Sequence, residues 1–111
     1  MKKDPLVLVN HMLESISLIR GYTRNMTITE FKTRKETQDA VIRRLEIIGE
    51  AANKVSPEFR EKHQDIPWRN ISGLRNILIH EYFGVDLNLT WNVIKDDLPV
   101  LEKNLRKIKQ D

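Results

Sequence analysis

Apolar residues recur every three or four positions along most of the chain, which is the spacing of amphipathic helices. Residues 6–20 and 36–55 show this spacing most clearly. The two apolar stripes consist of Val9, Met12, Leu13, Ile16 and Ile19, and of Val41, Leu45, Ile48, Ala52 and Val55. Strand-like alternation is nearly absent, so the pattern predicts an all-α fold.

Capping residues and prolines predict where further helices begin. Thr27 followed by Glu30 has the spacing of a capping box and predicts a short second helix. Ser56 followed by Pro57 has the form of an N-cap with proline at the first helical position. A short helix is therefore predicted after Ser56.

Two longer helices are predicted in the last part of the chain. One runs from Pro67 to about Tyr82, and the other follows Asp86, a candidate N-cap. Pro99 interrupts the apolar stripe of the last helix. Because proline lacks an N–H and its ring collides with the preceding turn, it should kink this helix or split it, with Asp97 as a local cap.

Together these segments predict an antiparallel helical bundle of about four to six helices. The length of 111 residues is typical of one domain, so we expect a single helical domain over residues 1–111.

Gly49 lies inside the second long helix, where glycine costs about 1 kcal/mol relative to alanine. We expect the close approach of another helix to compensate for it.

Composition excludes several kinds of site. The chain has no cysteine, which excludes disulfides, thiol nucleophiles and cysteine-ligated zinc. The net charge is only +3, but residues 20–44 hold seven basic side chains against three acidic ones. This excess suits an acidic partner or an ordinary solvated face. No signal peptide or membrane-spanning run is recognisable, so a cytoplasmic location is expected.

The segment from Arg75 to Tyr82 combines a guanidinium, an imidazole and a phenol. Arg75 can hold a phosphate, and His80 can transfer a proton near neutral pH. On a straight helix the side chains of Arg75 and His80 lie about 140° apart around the axis. They can meet only if the long arginine side chain reaches across, if the last turn of the helix is loosened, or if a second subunit supplies one of them. In the alternative interpretation Arg75 pairs with an acid, His80 is a near-core histidine and Tyr82 packs at a helix end.

Other candidates favour structural roles. His11 and His63 are expected to be solvated or structural residues rather than ligands. Glu46 and Glu50 have helical spacing for a shared metal ion, but ion pairs along the same stripe are the preferred interpretation. Trp68 is expected to pack in the core, although an exposed tryptophan can stack on a base.

The pattern Arg75-x-x-x-x-His80-x-Tyr82 resembles the motif of the HEPN superfamily, in the form found in HepT-type toxins. The flanking segments are similar to that family in order and spacing. These segments are Thr37–Arg43, Leu45–Ala52, Ile66–Arg69 and Tyr82–Asp86. The likeness covers about residues 4–105.

The resemblance implies an all-α homodimer in which the two motifs face each other across the interface. It implies a metal-independent endoribonuclease, without a cofactor, that acts as the toxin of a toxin–antitoxin pair. Arg75 would hold the scissile phosphate, His80 would be the general acid and base, and Asn76 would help to position RNA.

The resemblance also implies a protein partner, a nucleotidyltransferase antitoxin of the MntA type. This partner would transfer AMP to Tyr82, and the added phosphate beside Arg75 would exclude RNA. Glu81 stands where the family often has a small residue, and its carboxylate would compete with RNA for Arg75. The alternative function is a non-catalytic helical dimer that serves as the acceptor module for such a transferase.

Overall fold

The structure is a computed structural model that describes residues 4–80 and 84–110; for residues 75, 77, 79, 80, 109 and 110 it describes the backbone alone. The described helices are α1 (Pro5–Tyr22), α2 (Ile28–Thr33), α3 (Lys35–Asn53), α4 (Pro57–Lys62), α5 (Trp68–Ser72), α6 (Leu74–Leu78), α7 (Leu87–Asn92) and α8 (Leu98–Gln110). A π-helical turn, Val93–Asp97, joins α7 to α8. Strands β1 (Ile79–His80) and β2 (Gly84–Val85) form a two-residue antiparallel pair.

The core lies between the three long helices. α1 packs along α3, and α8 packs against α1. The predicted apolar stripes are confirmed, since every member is buried except Leu13, which is half-buried against the same core. The all-α fold class is therefore confirmed. In the described ranges, no helix is both long and apolar enough to cross a membrane.

The predicted helix starts are also confirmed. Thr27 Oγ1 accepts the N–H of Glu30 at 3.1 Å, and the Glu30 carboxylate accepts the N–H of Thr27 at 3.0 Å. The pKa of the Glu30 carboxyl is lowered from its ordinary value, because its carboxylate accepts hydrogen bonds from the backbone N–H and the side-chain hydroxyl of Thr27 and lies near the cation of Arg34. Ser56 and Asp86 cap α4 and α7 through their side-chain oxygens.

Gly49 has the close neighbour that its position predicted. A Cβ atom at this residue would lie 3.1 Å from the carbonyl oxygen of Ile71 and 3.4 Å from that of Ser72. The backbone of α5 therefore passes directly over α3 at Gly49. This crossing positions α5 relative to α3. It also positions α6, because only Gly73 separates the two short helices.

The predicted helix from Pro67 to about Tyr82 is wrong. The segment breaks at Gly73, and α6 already ends at Leu78. The Leu78 carbonyl accepts the N–H of Asp86 at 2.8 Å, and the strand pairing of β1 with β2 replaces further helical hydrogen bonds. A β-branched residue, Ile79, stands at the change from helix to strand, where strand geometry suits it. Tyr82 itself lies outside the described residues.

Pro99 is accommodated by the π-helical turn rather than by a break in the helix. The N–H of Leu98 donates to the carbonyl of Val93, five residues earlier. This wider turn directly precedes Pro99, the second residue of α8, and relieves the collision that a proline ring makes with the preceding turn of a regular α-helix. The prediction of a split with Asp97 as a cap is therefore wrong, and α7, the π-helical turn and α8 form one continuous helical run.

Candidate functional site

The motif segment lies where the chain passes from α6 into β1. The backbones of Arg75 and Asn76 are in the first turn of α6, and the backbone of His80 is in β1, paired with Gly84. Gly84 has φ +76°, a left-handed conformation that glycine adopts without strain. Because the helix ends at Leu78, the 140° separation of a straight helix does not apply to this segment. The side chains of Arg75 and His80 lie outside the described part.

A polar groove of about 270 Å³ opens beside this segment, between α3 and the α5–α6 pair. It is lined by Glu46, Gly49, Glu50, Asn53, Ser72 and Asn76. Asn76 is exposed here, next to Arg75 in the sequence. Its amide can donate to and accept from a bound molecule, so the structure places the predicted positioning residue at an accessible surface.

The described residues include no group of three His, Cys, Asp or Glu side chains arranged to hold a metal ion. Charged side chains along α3 form ion pairs. Arg43 lies 3.9 Å from Glu50, and Lys35 lies 4.0 Å from Asp39. These contacts match the ion-pair interpretation of the polar stripe that also contains Glu46.

Trp68 is a packing residue, as expected. Its side chain is buried, and its Nε1–H donates to the carbonyl of His63 at 3.0 Å. The ring of Phe59 meets Trp68 edge-on at 6.2 Å and His63 at 4.5 Å. The alternative role of Trp68 in base stacking is therefore wrong, and His63 is part of this aromatic cluster. His11 is exposed on α1.

An apolar groove of about 590 Å³ lies on the other side of α6, facing the α7–α8 run. Its apolar lining includes Ile71, Leu74, Val93 and Leu98. Val100 at its edge is 60% exposed. Exposed apolar surface of this kind is typical of a protein–protein contact, and Leu74 connects it directly to the motif segment.

Five of the seven basic residues between positions 20 and 44 fall into two groups. Three of them are paired with acids: Arg34 with Glu30, Lys35 with Asp39 and Arg43 with Glu50. Arg20, which pairs with the distant Glu102 of α8, and Arg24 line a groove together with Lys95, which is also distant in sequence. Sequence reasoning missed Lys95, because no pattern in the chain links it to α1.

Comparison with known proteins identifies the class. A family model described as ribonuclease HepT-like matches residues 12–108, which include the whole Arg75–Tyr82 motif. The protein is thus a ribonuclease by enzyme class. The chain belongs to the HepT-like ribonuclease family, which confirms the resemblance of its motif and flanking segments to the HEPN superfamily.

Individual relatives agree with this family. A Methanocaldococcus jannaschii protein, named as a gamma-glutamylcyclotransferase and provisionally as an RNase, is 52% identical over all of this chain, which spans 50% of that relative's length. A second M. jannaschii protein, provisionally named an RNase, is 42% identical over 94% of this chain and 95% of its own. A Thermococcus cleftensis protein, provisionally named ribonuclease HepT, is 40% identical over 99% of this chain and 100% of its own. No solved structure matches the chain at a significant level.

Proposed function

We propose that this protein is a metal-independent endoribonuclease that acts on cytoplasmic RNA as the toxin of a toxin–antitoxin pair. The observation that carries the proposal is the position of the motif. Arg75 and His80 flank the point where α6 ends and the chain turns into β1, so they are not held on separate faces of one helix. The relatives named as RNases support the reaction type.

The proposed chemistry uses few groups. Arg75 donates to the scissile phosphate and stabilises the charge that grows on its oxygens. His80 takes the proton from the ribose 2′-hydroxyl, which attacks the phosphorus, and a protonated imidazole returns a proton to the departing 5′-oxygen. The products are a 2′,3′-cyclic phosphate and a free 5′-hydroxyl. Asn76, at the exposed edge of α6, positions the RNA strand.

The proposed active form is a homodimer with the two motif segments facing each other. The apolar groove beside α6 supports this arrangement, because Leu74 and the exposed Val100 would be covered by a second copy. A second copy seated there would bring two Arg75 residues close to one RNA strand. The short chain then needs no deep cleft of its own.

Cleavage in the presence of EDTA tests the metal-independent mechanism. Purified protein should cut RNA equally well with EDTA and with Mg²⁺, because the nucleophile is the ribose hydroxyl and not a metal-bound water. The fragments should carry 2′,3′-cyclic phosphate ends, identified by mass spectrometry. An RNA with 2′-deoxyribose at the cleaved position is the matched control and should remain intact. Activity that appears only with a divalent cation would contradict the proposal.

We further propose that a nucleotidyltransferase antitoxin of the MntA type silences the enzyme by transferring AMP to Tyr82. Incubation with such a transferase and ATP should add AMP to the chain and abolish cleavage, since the new phosphate competes for Arg75. Tyr82→Phe should take up no AMP and stay active in the same mixture. Tyr22→Phe is the matched control, because Tyr22 is the other tyrosine of the chain. Modification that persists in Tyr82→Phe would contradict the assignment.

A further inference from the structure

Three cations from two distant parts of the chain line one groove, where α1 ends and the π-helical turn passes into α8. Arg20 and Arg24 come from the end of α1 and the turn after it, and Lys95 comes from the π-helical turn. The groove encloses about 540 Å³, and its other lining residues are Ser17, Thr23, Asn25, Ile94, Pro99 and Glu102. None of these residues lines the groove beside Asn76, so the two are separate surfaces.

Arg20 is held in place by a largely buried acid. The Glu102 carboxylate of α8 pairs with Arg20 and also lies 3.6 Å from Arg106. The Glu102 side chain is 14% exposed, whereas that of Arg20 is 51% exposed. Solvent therefore contacts mainly the Arg20 guanidinium. The single Glu102 carboxylate is shared between Arg20 and Arg106. Positive charge remains in excess at this surface.

The other two cations are available to a ligand. The Lys95 ammonium lies 4.7 Å from the centre of the Trp91 ring, a cation–π contact, and it pairs with no acid in the part of the chain that the structure describes. Trp91 is itself fixed by Phe31, whose ring centre is 5.3 Å away. Arg24 is exposed and makes no ion pair within residues 4–80 and 84–110.

We propose that this groove binds the sugar–phosphate backbone of the RNA substrate at a distance from the bond that is cleaved. Arginine and lysine are the usual partners of phosphate oxygens, and the polar side chains of Ser17 and Asn25 in the same groove add donors for phosphate or ribose. This inference rests on the proposed RNA substrate. It gives a reason why Arg24 and Lys95, unlike Arg34, Lys35 and Arg43, have no acid paired with them within the described residues.

The test measures binding and cleavage of a 20-nucleotide RNA by Arg24→Gln and Lys95→Gln. Each variant should raise Kd roughly three- to tenfold and make the dependence of log Kd on log salt shallower by about 0.7, the value expected for one phosphate contact on a single strand. Lys62→Gln is the matched control, because Lys62 is an exposed lysine on α4 outside this groove. A dinucleotide is too short to occupy both surfaces. The same substitutions should therefore weaken its binding and cleavage much less than those of the 20-nucleotide RNA.

A substitution that is expected to increase RNA affinity distinguishes loss of the groove from general damage to the fold. Glu102→Gln removes the acid among the described residues that line the groove and should lower the Kd for RNA by a similar factor. Equal effects of Arg24→Gln and Lys62→Gln, or equal losses on long and short RNA, would overturn the proposal. So would variants that lose binding to a protein partner but keep RNA affinity. Binding and cleavage are separate measurements. RNA that binds through the groove but is not cut would contradict the proposed ribonuclease activity and not the proposed binding groove.

Discussion

Replacing either Arg75 or His80 with alanine is expected to lower the rate of RNA cleavage by at least about 10²-fold. A positioned general acid or base contributes roughly 10²–10⁴-fold, and a group that stabilises transition-state charge contributes about as much. Both residues lie at the junction of α6 and β1, whose backbone is fixed by the hydrogen bond between Leu78 and Asp86. The fold should therefore survive both substitutions. The measurement is kcat on a defined RNA, with helicity followed by circular dichroism.

Two other residues provide matched controls for this result. Arg69→Ala removes an exposed guanidinium from α5, the helix before the motif, and His11→Ala removes an exposed imidazole from α1. Both should cleave RNA within a few-fold of the unmodified protein. If Arg75→Ala and His80→Ala cut RNA as fast as these controls, the catalytic assignment is wrong.

The helices of this fold were predictable because their determinants are local in sequence. The stripe from Val41 to Val55 and the capping box at Thr27 need only neighbours three or four residues away. Gly49 is an intermediate case. Its cost in a helix predicted a close neighbour, but only the structure identified that neighbour as the backbone of Ile71 and Ser72.

The turn at the motif was not predictable from helical periodicity. Residues on both sides of Leu78 have apolar spacing that continues a helix, and tertiary hydrogen bonds decide against it. The basic groove depends even more on distant contacts, since Arg20 and Lys95 are brought together by the packing of α1 against α8. The sequence indicated an excess of charge near Arg20 but not which of these cations would remain unpaired.

Gly49→Val is expected to destabilise the fold by about 1–3 kcal/mol, the usual cost of overpacking. A Cβ at this position lies 3.1 Å from the Ile71 carbonyl oxygen, and valine adds two methyl groups in the same narrow space. Because a backbone carbonyl cannot rotate away as a side chain does, α5 must move away from α3. Arg75 follows α5 by a few residues, so cleavage should fall as well. A displacement of about 1 Å at a catalytic group can cost 10²-fold in rate.

Urea unfolding and RNA cleavage measured on the same preparations separate this effect from ordinary helix propensity. Gly21→Ala is the control, because Gly21 is also helical but a Cβ there has no atom within 4 Å. That substitution should stabilise the protein by about 0.4–1 kcal/mol and leave cleavage unchanged. The free energy of unfolding of Gly49→Ala should lie between those of Gly49→Val and Gly21→Ala, since a helix-propensity gain of about 1 kcal/mol opposes the close contact. An unfolding midpoint for Gly49→Val as high as that of Gly21→Ala would contradict the view that α5 rests on Gly49.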